Sequence, residues 1–223
     1  GDDRIDILAP ARFKSLQQDR TSAVATADAA NQGVTLQANV VLIADGAQSA
    51  AREALGIDAR ITDFQQQAII ANVGITSTGQ GVAYERFTDR GPLALLALTD
   101  QRYALVWTNP QQRADHLLQL SDRAFLAALH QQFGYRLGVF DRVGARDRFP
   151  LKLTRARQLV AGRCVVIGNA ANTLHPVAGQ GFNLALRDVA ALYDLLEHTD
   201  LATEECGVLL QTYVGTSKKK WKD

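Results

Sequence analysis

The residues best suited to chemistry lie between positions 168 and 188, in the stretch GNAANTLHPVAGQGFNLALRD. An apolar run over residues 164–167 stops at Gly168, and a glycine-rich segment then opens a predicted amphipathic helix. Backbone N–H groups in the first turn of a helix lack internal partners and carry partial positive charge, and glycine lets a ligand approach closely. The sequence therefore predicts a site for an electron-rich group, such as a phosphate or the carbonyl edge of a flavin ring.

The predicted helix start is made of five consecutive residues: Gly179, Gln180, Gly181, Phe182 and Asn183. Their backbone amides can hydrogen-bond the carbonyl edge of a flavin and stabilise the negative charge that forms there on reduction. The side-chain amide of Asn183 adds a further polar group. The alternative is an ordinary helix entry with glycines for tight packing, but Pro176 and the preceding strand favour a binding site.

Asn169 follows the apolar run directly, at a position where side chains meet ligands in open α/β sheets. It is placed to hold a ribityl hydroxyl, and a turn-capping asparagine is an equally good interpretation.

A second apolar run over residues 40–44 ends at Asp45 and Gly46, and Ser49 and Arg52 follow. This spacing brings a carboxylate, a hydroxyl and a guanidinium near one another. Asp45 would organise the turn, and Arg52 would meet a pyrophosphate. The alternative is a plain turn followed by a solvated arginine.

The elements that position these residues are predicted as α/β, then antiparallel β, then α/β again. Residues 34–44 predict one strand that enters a buried sheet, and residues 49–55 a short helix closed by Gly56. Four strand-length runs separated by turn residues predict an antiparallel meander: 68–75, 82–87, 93–98 and 103–108.

Helix signals follow the meander. Ser121 is the predicted N-cap of a helix that buries Phe125, Leu129 and Phe133 and ends at Gly134. Residues 159–167 predict a buried strand. In the last helix five apolar residues recur at spacings of four and three, which predicts a stripe facing the core: Phe182, Leu186, Val189, Tyr193 and Leu196.

Composition limits the function classes. The chain has 223 residues, 47% hydrophobic and 21% charged, which suits one large or two small globular domains. A net charge of +1 gives no case for nucleic-acid binding. Cys164 and Cys206 have no metal-ligand spacing, so a reduced, cytoplasmic protein without a metal site is expected. The chain contains no Met and starts at Gly1, which suggests that the natural protein has a preceding segment.

With these residues in view, the chain resembles the aromatic-ring hydroxylases of the para-hydroxybenzoate hydroxylase type, and among them the ubiquinone-biosynthesis hydroxylases. Their His-Pro-x-Ala-Gly-Gln-Gly-x-Asn signature matches residues 175–183, followed by Asp188. Their second motif, Asp-Gly-x-x-Ser-x-x-Arg, matches Asp45, Gly46, Ser49 and Arg52. Residues 91–94 and 149–151 also look familial, and the resemblance covers most of the chain.

Three departures accompany the resemblance. The family usually has Gly-Asp where this chain has Gly168 and Asn169, and often has glycine where Ala185 stands. The GxGxxG loop that receives the FAD pyrophosphate in these enzymes occurs nowhere in the sequence. By the resemblance, the first nucleotide-binding segment is missing.

The resemblance implies a partial FAD-binding α/β domain, residues 1–60 and 151–223, with an inserted antiparallel β-sheet substrate domain at 61–150. It places Asn169 on the ribityl chain, residues 179–183 on the flavin ring and Pro176 beside that ring. Asp45, Gly46 and Arg52 would serve the cofactor phosphates or the nicotinamide donor.

The function implied is hydroxylation of a polyprenylated phenol in ubiquinone biosynthesis, with FAD, NAD(P)H and O2. The isolated chain would be inactive. A ubiquinone-biosynthesis complex and peripheral contact with the inner membrane are further implied partners. Two alternatives stay open: a non-catalytic binding or assembly module of the same pathway, and another flavoenzyme such as a reductase or halogenase. The halogenase motif Trp-x-Trp-x-Ile-Pro is absent around Trp107.

Overall fold

The computed structural model describes residues 3–76, 81–174 and 180–220, with the backbone alone for Gln180 and residues 215–220. The described residues divide into two compact units. Those of Gly1–Thr62, Leu153–Leu174 and Gly179–Asp223 form the first unit, and those of Asp63–Lys152 form the second. The fold is mixed α/β with antiparallel sheets, as the sequence predicts.

The first unit begins with an antiparallel sheet of three strands in chain order: β1 (Ala11–Gln18), β2 (Ala23–Ala29) and β3 (Gln32–Ala38). The prediction of one strand over residues 34–44 is wrong, because the chain leaves this sheet after β3 and forms β4 (Val41–Ile43) in another. Alternating residues suit a half-exposed antiparallel strand, whereas a continuous apolar run suits a buried parallel strand. Within residues 34–44, the change from alternating to continuously apolar residues therefore marks the point where the chain moves from one sheet to the other.

The second sheet of this unit has the order β11-β12-β4, with β11 at Val160–Ala161 and β12 at Cys164–Val166. The predicted strand 159–167 is a hairpin that turns at residues 162–163, and β12 then runs parallel to β4. Cys164 is fully buried here, and burial raises the pKa of its thiol to about 11. The raised pKa keeps this core thiol protonated and therefore unreactive.

The remaining elements of the first unit follow either β4 or β12. They are α1 (Ala50–Ala54), α4 (Gly168–Ala171), β13 (Asn172–Thr173), α5 (Gln180–Leu196) and α6 (Glu204–Lys220). Helix α5 packs against α4 and α6. None of the helices formed by described residues is long and apolar enough to span a membrane.

The predicted core-facing stripe of α5 is wrong for four of its five residues, whereas the fifth, Leu196, packs against the core. Its first four residues, Phe182, Leu186, Val189 and Tyr193, are 72%, 51%, 47% and 60% exposed. The covered face instead carries Asp188 and Leu192, which are 4% and 3% exposed. Periodicity identifies residues that share a face, but the neighbouring elements decide which face is covered.

This orientation of α5 is directly testable. Leu192→Ala is expected to lower the free energy of unfolding by about 2–4 kcal/mol, because it leaves a cavity in the core. Val189→Ala removes apolar atoms from the exposed stripe and should change stability by less than about 0.5 kcal/mol. Urea unfolding of both variants measures the difference, and equal losses would contradict the placement of the helix.

The second unit is built on an antiparallel sheet, as the sequence predicts. Its strands are β5 (Ala59–Ile75), β6 (Tyr84–Thr88), β7 (Gly91–Ala97), β8 (Arg102–Pro110), β9 (Phe140–Val143) and β10 (Asp147–Ala156). The order is β10-β5-β8-β7-β6, and β9 pairs with β5. Strands β6, β7 and β8 form the predicted meander, but the placement of β5 beside β6 is wrong, because β5 pairs with β8 instead. Strands β5 and β10 carry the chain between the units.

Two helices, α2 (Gln111–Gln119) and α3 (Asp122–Phe133), form a core with one face of this sheet. Ser121 caps α3 as predicted, because its Oγ accepts a hydrogen bond from the Ala124 N–H at 3.3 Å. Gly134 ends α3 with a φ of +85°, a conformation that glycine adopts without strain. The opposite sheet face is only partly covered.

Candidate functional site

The two sequence motifs meet because β4 and β12 are parallel neighbours. Leu42 pairs with Val165, and the Ile167 N–H donates to the Ile43 carbonyl at 2.9 Å. Parallel strands end at the same edge of a sheet, so the loop after β4 and the loop after β12 emerge side by side. The fold thereby brings Asp45 and Gly46 next to Gly168 and Asn169.

The loop after β4 is organised by two side-chain acceptors. Asp45 is exposed, and its Oδ2 accepts from the Ala51 N–H at 3.1 Å. Ser49 is fully buried, and its Oγ accepts from the Arg52 N–H at 2.9 Å, which caps α1. Asp45 therefore holds the turn, in agreement with its predicted organising role.

Arg52 ties the two loops together. Its side chain lies in the interior at 3% exposure, so the alternative of a solvated arginine is wrong. Nη1 donates to the carbonyls of Ala47 at 3.2 Å and of Ala170 at 2.9 Å, and Ala170 belongs to α4. Nε is buried without a hydrogen-bond partner among the described residues. The guanidinium thus keeps a buried N–H donor that no described residue uses.

Gly168 and Asn169 present an open surface. Gly168 has a φ of +57°, and a Cβ built there would meet no atom within 4 Å. Asn169 is exposed and makes no side-chain hydrogen bond within the part of the chain that the structure describes. This geometry offers no support for turn capping, so Asn169 has a free amide at the strand end.

Helix α5 begins at Gln180, as the sequence predicts. Gly181 has open space at its Cα, since an added Cβ would contact nothing within 4 Å. Phe182 and Asn183 are both exposed. Pro176, Gly179 and the side chain of Gln180 lie outside the described residues, and their contact with a ligand stays a prediction.

Sequence reasoning missed one buried group in this unit. Arg163 is 1% exposed and donates to carbonyl oxygens of two other segments, including Arg20 O at 2.9 Å and Leu201 O at 2.9 Å. An arginine in a hairpin turn normally indicates solvent, and nothing in the pattern of residues distinguishes it. Within residues 3–76, 81–174 and 180–220, no cluster of His, Cys, Asp and Glu could hold a metal ion.

Comparison with known proteins places these motifs in context. The FAD binding domain family matches residues 3–218 of this chain. Ubiquinone hydroxylase UbiL of Rhodospirillum rubrum is 40% identical over 190 residues, which cover 85% of this chain and 44% of that protein. The 3-demethoxyubiquinol 3-hydroxylase of Escherichia coli is 35% identical over 164 residues, covering 74% of this chain and 42% of the enzyme. The chain therefore spans less than half the length of these relatives.

The same fold occurs in a flavin-dependent halogenase, CmlS, with a TM-score of 0.74 and 16% identity over 95% of this chain and 40% of the other. At that identity the likeness shows the fold alone and does not choose between hydroxylation and halogenation. The family match extends over almost all of the chain and includes both motif loops at the edge of β4 and β12. The chain belongs to the FAD binding domain family.

Proposed function

We propose that this chain forms part of an FAD-dependent monooxygenase that hydroxylates a prenylated phenol in ubiquinone biosynthesis. NAD(P)H is the electron donor and O2 the oxidant. The observation that carries the proposal is the 40% identity to a ubiquinone hydroxylase over 85% of this chain. The parallel pair β4 and β12 supports it, because it assembles the two motif loops that the hydroxylases share.

The residues of the first unit fit FAD. Asn169 is free to bind a ribityl hydroxyl, and the buried guanidinium of Arg52 holds together the two loops that would border the cofactor. Gly168 and Gly181 leave space for a planar ring or a phosphate to approach the backbone. Asp45 and Gly46 shape the loop beside them. When bound, FAD would take electrons from NAD(P)H and activate O2.

The start of α5 would stabilise negative charge on the flavin ring. The first-turn amides of residues 180–183 have no partners within the helix, and the helix dipole adds positive potential. Pro176 and Gly179 would also lie beside the flavin ring. The hydroxylases that this chain resembles usually carry aspartate where this chain has the neutral Asn169. Asn169 would therefore bind a hydroxyl without placing a negative charge beside the cofactor phosphates.

The partly covered sheet face of the second unit suits the apolar part of a prenylated phenol. Ile70, Val106 and Ala94 stand in one row across β5, β8 and β7, and all three side chains are partly accessible. The ring carbons of a phenol are nucleophilic without a protein base. The task of these side chains is then to bind the substrate and exclude water from the reacting atoms.

The isolated chain is expected to bind FAD weakly, because its 223 residues contain no GxGxxG loop for the pyrophosphate. The exposed stripe of α5 is consistent with a site that needs further protein to cover it. Mixing the chain with stoichiometric FAD and desalting should give a colourless protein. A retained yellow colour and flavin absorbance would contradict this expectation.

The reaction is tested in a chimera in which this chain replaces the matched stretch of the Rhodospirillum rubrum hydroxylase. The expected result is NAD(P)H oxidation that depends on a prenylated phenol, together with a hydroxylated product. The matched control carries Asn169→Leu, which cannot bind a ribityl hydroxyl and should lose FAD. A chimera that holds FAD but turns over no prenylated phenol would favour a non-catalytic module of the pathway.

A further inference from the structure

The second unit contains a cleft that the proposed hydroxylase activity does not use. It lies between α3 and β9 and has a volume of about 640 Å³. That volume falls within the range of sites for small organic molecules. The walls are formed by side chains of α3, of the loop that follows it, and of β9.

One wall of the cleft is aromatic. The rings of His130 and Tyr135 are stacked, with centroids 4.4 Å apart and planes 16° from parallel. Phe140 contacts the same histidine, at 4.6 Å between centroids. Tyr135 is 70% exposed, so much of its ring remains open to solvent and to a ligand. A flat ring can extend this stack at a favourable distance.

The histidine in this wall is held in place by the backbone. Its Nε2 accepts a hydrogen bond from the Phe140 N–H at 2.9 Å, which requires the ring proton to sit on Nδ1. Nδ1 faces the Gly134 carbonyl at 3.4 Å. His130 is therefore a fixed platform beneath Tyr135, and the aromatic wall exists before any ligand arrives.

The two carboxylates that line the cleft have ion-pair partners, whereas one arginine that lines it has none among the described residues. Asp122 pairs with Arg146 at 3.1 Å, and Asp141 pairs with Arg142 at 3.5 Å. Arg123 also lines the cleft, is exposed, and makes neither an ion pair nor a hydrogen bond with any residue that the structure describes. After these pairings the cleft offers one uncommitted guanidinium, which favours an anion and matches a carboxylate in planar shape.

We propose that this cleft binds a flat aromatic carboxylate, with its ring stacked on Tyr135 and its carboxylate paired with Arg123. The two features that carry the proposal are independent, since the ring stack selects planarity and the guanidinium selects negative charge. Every lining residue belongs to the second unit, whereas Asp45, Arg52 and Asn169 belong to the first. The site therefore stands whether or not the proposed hydroxylase activity is correct.

The test is a titration of the whole chain with naphthoate, in which amide NMR shifts report binding. Saturable binding is expected, with the largest shifts in α3 and β9. Arg123→Gln should weaken naphthoate binding about tenfold, the equivalent of about 1.4 kcal/mol, because it removes the one unpaired cation among the described residues that line the cleft. The same variant should leave the binding of neutral naphthalenemethanol unchanged. Tyr135→Leu should weaken both ligands, and Arg12→Gln, an exposed arginine of the first unit, should affect neither.

Two results would overturn the proposal. One is the absence of saturable shifts in α3 and β9. The other is an Arg123→Gln variant that binds naphthoate as tightly as the unchanged chain. Both substituted side chains are exposed, so the variants should keep the dispersed amide spectrum of the folded chain, and a loss of binding can be assigned to the cleft.

Discussion

Replacing Arg163 by methionine is expected to lower the free energy of unfolding by about 3–5 kcal/mol, because three backbone carbonyls lose a charged donor together. Arg163 Nε and Nη2 both donate to Arg20 O, at 2.9 and 2.6 Å. Nη1 donates to Leu201 O at 2.9 Å, and Nη2 also contacts Thr203 O. Methionine keeps an apolar stem of similar length and supplies none of these hydrogen bonds.

Urea unfolding followed by circular dichroism measures this loss. Arg157→Met is the matched control, since Arg157 is exposed and should change stability by less than about 0.5 kcal/mol. Arg163→Lys should recover only part of the stability, because one ammonium cannot reproduce the planar fork that reaches separate carbonyls. A loss below about 1 kcal/mol in the methionine variant would show that water replaces the guanidinium at little cost.

Arg52→Leu is expected to cost about 2–4 kcal/mol and to separate the two motif loops. The substitution leaves the carbonyls of Ala47 and Ala170 without the Nη1 donor that now joins them. Because Ala170 lies in α4, faster amide exchange should be concentrated in α1 and α4. In the FAD-loaded chimera the same change should weaken cofactor binding, since both loops border the proposed FAD site.

Glu53→Gln is the control for this experiment. Glu53 lies 3.8 Å from Arg52 Nη2, but its side chain is 72% exposed, and solvent screens such a pair. Its removal should cost less than about 0.5 kcal/mol. If Arg52→Leu were no more destabilising than Glu53→Gln, the hydrogen bonds of Arg52 to the two loops would contribute nothing measurable to stability. A role restricted to binding the cofactor would then explain its place in the motif.

Short-range chemistry in the sequence predicted several elements correctly. Ser49 and Ser121 begin α1 and α3, and Gly134 ends α3, because capping depends on residues within one turn. The antiparallel pairing of β6, β7 and β8 was predicted for a similar reason, since short turns between consecutive strands bring them side by side. The start of α5 at Gln180 also follows from local signals.

Burial could not be predicted in the same way. Val189 and Leu192 are both apolar residues of α5, yet the first is exposed and the second is buried. The strand predicted over residues 34–44 likewise divides between two sheets, a choice made by strands far away in the chain. Which surface is covered depends on the packing of separate elements, and local periodicity carries no information about it.

By itself the sequence determined the fold class, the two motifs and the family, because these depend on residue types at fixed short spacings. Only the tertiary structure decided how the motifs meet. Arg52 reaches a carbonyl 118 residues later in the chain, and Arg163 one 143 residues earlier. A guanidinium binds whichever carbonyls the fold brings within about 3 Å, so its role is set by the parallel pairing of β4 and β12 and by the loops around them.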